Sequence, residues 1–167
     1  MKLVTMVNSK AFLFLFLLYL VLLPFSAIAQ EYIGRVVGVS DGDTITILDD
    51  QKQQIRVRLA EIDTPESAQP YGTRAKQELS RIVFGKTVIV KVKDTDRYGR
   101  KVGRVYIDDI DVNAEMVKIG AAWVYRKYAR DQNLYALEKQ ARKKRVGLWR
   151  LPEAQQVPPW EWRKTKR

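Results

Sequence analysis

Three short segments rich in β-branched residues follow one another closely, and this limits the fold more than any other feature of the chain. Tyr32–Val39, Thr44–Leu48 and Ile55–Ala60 are separated only by Ser40-Asp41-Gly42-Asp43 and by the polar stretch that begins Asp49-Asp50-Gln51-Lys52. Such segments divided by turn residues read as strands, and their simplest arrangement is a three-stranded meander. The period then changes. Tyr71–Phe84 places Ala75, Leu79, Ile82 and Val83 at helical spacing and ends before Gly85, so it predicts an amphipathic helix. Strands return at Thr87–Val92 and Val102–Ile107. A second helix fits Val112–Ile119, with Asp111 as N-cap and Gly120 just beyond its end. A third fits Asn133–Arg145, with Leu134, Leu137 and Ala141 facing inward and mostly Lys and Arg on the far side. Five short strands and three helices in so small a chain predict a mainly β fold with helices, built around a barrel. From Pro152 periodicity is lost, and residues 152–167 read as a Pro, Trp and basic tail in which Trp160 and Trp162 could dock.

Residues 1–29 have a different character. Lys2 and Lys10 precede an apolar run from Ala11 to Leu23, then Pro24 and the small-residue pattern Ala27-Ile28-Ala29. These are the three parts of a secretory signal peptide, with cleavage expected between Ala29 and Gln30. The run is shorter than a membrane span requires, so no integral span is expected after processing. The mature chain is then exported, to a periplasm or the exterior. Cleavage takes two lysines and no acidic residue, lowering the net charge from +11 to +9.

The chain has no Cys and no His. Disulfides, thiol nucleophiles, imidazole bases and histidine-ligated metals are therefore excluded. Catalysis, if present, must use carboxylates, Arg, Lys, Tyr or an oxygen-held metal, and the excess positive charge points to a polyanionic partner.

Two acidic clusters fit that chemistry. Asp41-Gly42-Asp43-Thr44 lies between the first two strands, and Asp63-Thr64-Pro65-Glu66 follows the third. Each alone is an ordinary turn or strand exit. Loops from neighbouring strands of a small barrel can nevertheless bring Asp43, Asp63 and Glu66 to one rim. Converging carboxylates repel one another and raise their pKa values unless a cation neutralises them, and oxygen donors select a hard ion such as Ca²⁺, Mg²⁺ or Mn²⁺. Arg58 on the third strand and Arg100, at the end of Arg97-Tyr98-Gly99-Arg100, offer paired donors to a phosphodiester. Arg56 and Arg104 sit in similar strands.

Asp41-Gly42-Asp43-Thr44, Arg58 through Asp63-Thr64-Pro65-Glu66, Asp96-Arg97-Tyr98-Gly99-Arg100 and Gly147-Leu148-Trp149 resemble, in order and approximate spacing, the staphylococcal nuclease-like (thermonuclease) family. The match spans residues 32–149. The resemblance implies a five-stranded OB-fold barrel with three α-helices, in a nuclease domain over residues 30–151. It also implies a Ca²⁺-dependent phosphodiesterase acting on DNA and RNA and leaving 3′-phosphate ends. By the same resemblance the metal ligands fall on Asp43, Asp63 and the Thr64 carbonyl. Arg58 and Arg100 match the phosphate-clamping arginines. Glu66 matches the residue that acts on the attacking water, as base or as water-positioner. Arg97, Tyr98, Trp123 and Tyr125 match positions beside the bound nucleotide. Trp123 departs from the family's tyrosine and keeps a stacking face without a phenol. Stacking needs unpaired bases, so single strands and A·T-rich duplex are the expected substrates, bound by a monomer. Lysines and arginines of Arg126–Arg130 and Arg142–Arg145 are expected to attract the phosphate backbone. The main rival is a non-catalytic OB-fold nucleic-acid-binding module; a basic adhesion protein would leave the carboxylates unexplained.

Overall fold

Alternation along the first strands decides which residues fill the barrel and which line its rim. The computed structural model describes residues 30–165, and the expected signal peptide at residues 1–29 lies outside them. Strands β1 (Glu31–Val39), β2 (Thr44–Leu48) and β3 (Gln54–Leu59) form the expected antiparallel meander. Val36, Ile45, Ile47, Val57 and Leu59 point inward and are fully buried, while Arg56 and Arg58 alternate to the other face of β3. A two-residue strand, β4 (Ile62–Asp63), follows. Helix α1 (Gly72–Val83) then crosses to β5 (Thr87–Thr95), which pairs with both β1 and β6 (Lys101–Ile107). The sheet order is β3-β2-β1-β5-β6, and parallel pairing of β3 with β6 closes it into a five-stranded barrel. The short β7 (Ile110–Asp111) adds to the edge of β6.

The helices cap this barrel. Ala75, Leu79 and Val83 of α1 are buried, as their spacing requires. In α2 (Val112–Lys118) the Asp111 side chain accepts from the Ala114 N–H at 3.0 Å, which is the expected N-cap. Buried Asn113 crosses the core to join elements, donating to the Ala60 carbonyl at 2.9 Å and accepting from the Val105 N–H at 3.1 Å. After α2 comes β8 (Trp123–Val124), antiparallel to β4, and then α3 (Gln132–Lys144) with Leu134, Glu138 and Ala141 buried. Among the described residues a fourth helix, α4 (Pro159–Thr165), joins the three expected ones. No helix among them is long and apolar enough to cross a membrane.

Two glycines let the rim loops pack together. A Cβ on Gly42 would lie 2.7 Å from Thr64 Oγ1 and 2.9 Å from the Ala75 Cβ, so the two acidic loops and α1 meet only because nothing is there. A Cβ on Gly72 would lie 1.8 Å from the Glu66 carbonyl oxygen, a backbone atom that cannot yield without moving the loop. Gly72→Ala is therefore expected to destabilise the protein by about 1–3 kcal/mol. A thermal denaturation curve superimposable on that of the native protein would show that the loop does not rest on α1.

Candidate nucleic-acid cleft

Strand register assembles the site. Thr44 pairs with Arg58, and the Leu59 N–H donates to the Asp43 carbonyl at 2.8 Å, so the turn carrying Asp43 closes directly over Arg58. Asp63 pairs with Trp123 across the β4–β8 bridge, which fixes the second acidic loop beside the first. The parallel β3–β6 closure begins with Val57 opposite Lys101, bringing the preceding Arg100 to the same rim. Asp43, Arg58, Asp63 and Arg100 line one cleft of about 970 Å³, together with Asp41, Thr64, Glu66, Arg97, Tyr98, Tyr125, Tyr128 and Arg163.

Within it, charges are closely interlocked. Arg58 bridges two aspartates: Nη1 donates to Asp43 Oδ1, and Nη2 donates to Asp63 Oδ1 at 2.9 Å. Asp43 Oδ1 also accepts from Thr44 Oγ1 at 3.1 Å, and Oδ2 accepts from the Thr64 N–H at 3.3 Å. Burial works against the Arg58 charge, but the charges and hydrogen bonds of Asp43 and Asp63 outweigh it and raise its pKa. Asp63, 1% exposed, is pushed up by burial and by the charge of Asp43, against the pull of Arg163 and Arg58. Asp41 is pushed up to about 6 by burial and by Asp43. These are carboxylates whose negative charge is incompletely compensated.

Asp43, Asp63 and the Thr64 backbone could hold a metal. The donors are all hard oxygens, which suit a hard divalent cation. Glu66 stands at the cleft mouth, its backbone N–H donating to Gln69 Oε1 at 3.1 Å. Arg100 is held by Asp96, whose Oδ2 accepts from Nε at 2.8 Å, and its Nη1 donates to Thr44 Oγ1 at 3.2 Å. Arg97 and Tyr98 share a hydrogen bond at 2.6 Å in an exposed turn, with Tyr98 65% exposed.

The aromatic residues divide differently from their motif. Trp123 is 6% exposed and does not line the cleft; it packs edge-to-face on Trp149 at 4.5 Å and lies under the Arg142 guanidinium. Tyr125 does line the cleft, but one face is stacked on Trp160, with centroids 5.4 Å apart and rings 2° from parallel. The aromatic surface most open to a base is that of Tyr98 and Tyr128. Tyr128 carries no sequence signal, because one tyrosine in a loop has neither period nor motif. Arg163 carries none either, since it lies in a tail whose Pro and Gln content predicts no element.

Of the arginines outside the motifs, Arg56 is exposed on β3, whereas Arg104 is structural, paired with Glu61 at 3.8 Å, Asp111 at 3.2 Å and also Asp131. The basic surface is likewise partly committed. Arg126 and Arg142 both pair with buried Glu138, at 2.6 and 3.5 Å. Glu61, in the left-handed region at φ 65°, ties the Tyr125–Arg130 loop to the barrel. Its carbonyl accepts from the Tyr125 N–H at 2.9 Å and its Oε1 from the Arg130 N–H at 2.7 Å.

Two expectations follow from this electrostatic arrangement. Arg58→Met leaves Asp43 and Asp63 buried without their shared cation, and should cost about 3–5 kcal/mol, read from urea midpoints. An unchanged midpoint would mean that the pair is not a stabilising contact. Burial raises the Glu61 pKa, but Lys93, the Arg130 N–H and Arg104 outweigh it and hold it below its ordinary 4.5. A depressed carboxyl stabilises the fold above its unfolded pKa and loses that contribution as pH falls through the folded value. Glu61→Gln should therefore flatten the decline in stability below pH 4.5, seen as a smaller drop in urea midpoint than in the native protein.

Comparison with known proteins gives the arrangement its context. Residues 56–151 match the family model described as Staphylococcal nuclease homologue. Protein ParB of Escherichia coli is 48% identical over 145 residues, 80% of each chain. The micrococcal nuclease of Shigella flexneri is 45% identical over 148 residues, covering 82% of this chain and 83% of its own. A protein of Escherichia coli O157:H7 called an uncharacterized endonuclease is 46% identical over 150 residues, 88% of this chain and 96% of its own. The matched model spans more than half of the chain, its residues include Arg58, both Asp63 and Glu66, and Arg100, and the chain belongs to the staphylococcal nuclease homologue family.

Proposed function

We propose that the chain is an exported, Ca²⁺-dependent endonuclease that hydrolyses phosphodiester bonds of DNA and RNA with little sequence preference, leaving 3′-phosphate ends. One observation carries the reading: Asp43, Asp63, Glu66, Arg58 and Arg100, drawn from three separate segments, line the same cleft. Nuclease relatives support the reaction class, and the signal-peptide pattern of residues 1–29 supports export.

Asp43, Asp63 and the Thr64 carbonyl would hold the Ca²⁺, which when bound supplies a Lewis acid for a phosphate oxygen. Arg58 is clamped between two buried carboxylates, with its side chain 18% exposed, so it presents its remaining donor surface to a phosphate without reorganising. Arg100, oriented by Asp96 and Thr44, stabilises charge that develops on the five-coordinate phosphorus. Its guanidinium remains charged at every working pH, as an electrostatic role requires. Glu66, half-open to solvent, orients or deprotonates the attacking water. Tyr98 and Arg97 form one wall, and Tyr125 and Tyr128 another, against which a nucleotide can rest. Contacts of this kind touch sugar, phosphate and ring faces, so sequence selectivity should be low, with unpaired and A·T-rich substrates favoured. The uncommitted lysines and arginines add a salt-sensitive attraction.

Purified mature protein should degrade plasmid DNA and RNA with Ca²⁺ present, and a chelator should stop it. Glu66→Gln should lower kcat about 10²–10⁴-fold with little change in KM. Arg100→Gln should lower it about 10²–10³-fold. Intact polynucleotide after incubation with the calcium-loaded native protein would reject the nuclease reading, and near-native kcat in Glu66→Gln would remove that residue from the chemistry.

A further inference from the structure

Helix α4 carries a guanidinium into the carboxylate group of the cleft. Arg163 Nη2 donates to Asp63 Oδ2 at 2.6 Å, and Nη1 donates to Glu66 Oε1 at 2.7 Å and to Asp63 Oδ1 at 3.3 Å. Both oxygens of Asp63 and one of Glu66 thus face donors of the tail. Among the described residues, no group of three or more carboxylates is arranged to hold a metal ion.

The placement is built, not incidental. Pro159 is buried, and Trp160 stacks on Tyr125 and meets Trp123 edge-on at 5.9 Å. Buried Gln69 binds both partners: its Nε2 donates to the Val157 carbonyl while its Oε1 accepts from the Glu66 N–H. A seven-residue helix is too short to persist by its own hydrogen bonds, so α4 exists because it is docked here.

We infer that Arg163 is the resident counter-ion of Asp63 and Glu66 and is exchanged for the divalent cation those carboxylates take, so that the tail sets the cation affinity of the site. The inference rests on the cation reading proposed above. An oxygen that accepts a guanidinium hydrogen bond at 2.6 Å cannot turn the same lone pair to a metal, and two cations in direct contact repel strongly in a partly buried site. Of the two guanidiniums on Asp63, Arg58 is enclosed and also neutralises Asp43, whereas the Arg163 side chain is 40% exposed and can exchange its partners for water. Exchange therefore falls on Arg163. It also releases Glu66, whose carboxylate can then accept from a water. Arg163 acts through Asp63 and Glu66 and is a positioning residue.

Calcium titration of the nucleic-acid-free protein by calorimetry tests this. Arg163→Gln should lower the Ca²⁺ Kd about tenfold, within the usual range of coupling between linked sites. It should also lower the thermal midpoint of the calcium-free protein while enlarging the rise that Ca²⁺ produces. Equal Kd values in the native and Arg163→Gln proteins would overturn the exchange alone. Absence of Ca²⁺ binding in both would overturn it together with the cation reading. A measurement on the native chain needs no substitution: the Arg163 side-chain Nε–H resonance should move as Ca²⁺ is added, and a resonance unmoved at saturation would refute the exchange.

Discussion

The site depends on one guanidinium placed between two buried carboxylates. Arg58 reaches Asp43 from its own strand pair and Asp63 from the loop that follows, so a single side chain joins the two acidic loops. Without a cation between them, carboxylates 1–5% exposed would have to be protonated or pushed apart. The Thr44–Arg58 register makes the placement unavoidable once β2 and β3 pair. A slip by one residue would send Arg58 into the core and Val57 to the rim, so the hydrophobic alternation that fills the barrel also aims the arginine.

Most of the barrel is legible in the sequence because period identifies it. β2 spans Thr44–Leu48 as its alternation indicates, and α1, α2 and α3 lie within a residue or two of where spacing and caps put them. β5 runs on to Thr95, beyond its apolar stretch, because β6 supplies partners for the polar residues after a bulge near Asp94. Two-residue strands have no period at all, so the β4–β8 bridge is invisible in sequence although it is what fixes Asp63. The parallel β3–β6 closure is a long-range contact without a local signal. Helix α4 is hidden for a related reason: its stability comes from the surface it lies on.

The site divides in the same way. Asp43, Asp63, Glu66, Arg58 and Arg100 sit in short motifs tied to strand ends, and the structure gathers them in one cleft. Aromatic residues resist such reading, because a tryptophan suits a stacking wall or a core equally well. Trp123 goes to the core, where Trp149, Trp160 and the Arg142 guanidinium surround it. The arginine run at the end of α3 is similarly split. Arg142 is spent on Glu138 and two indoles, while Lys143, Lys144 and Arg145 remain exposed on the last turn, where the helix dipole also favours them.

On the cation reading proposed above, the cleft has to fold before the ion arrives, and its two kinds of arginine suit that order. Burying Asp41, Asp43 and Asp63 near one another is unfavourable, through lost hydration first and mutual repulsion after it, and the Asp41 and Asp63 carboxyls are pushed up accordingly. A permanent internal cation relieves part of it, and Arg58, anchored in the barrel wall, serves that purpose. Were every negative charge matched by such fixed partners, no driving force would remain for an ion from solution. Arg163 lies instead on the short α4, docked through Trp160, buried Pro159 and the Gln69 hydrogen bond, with its own side chain 40% exposed. On the exchange inferred above, it neutralises Asp63 and Glu66 in the cation-free protein and gives way to the ion. The same Gln69 side chain holds the Glu66 loop through its other end, so the docked tail and the placement of Glu66 are linked through one residue.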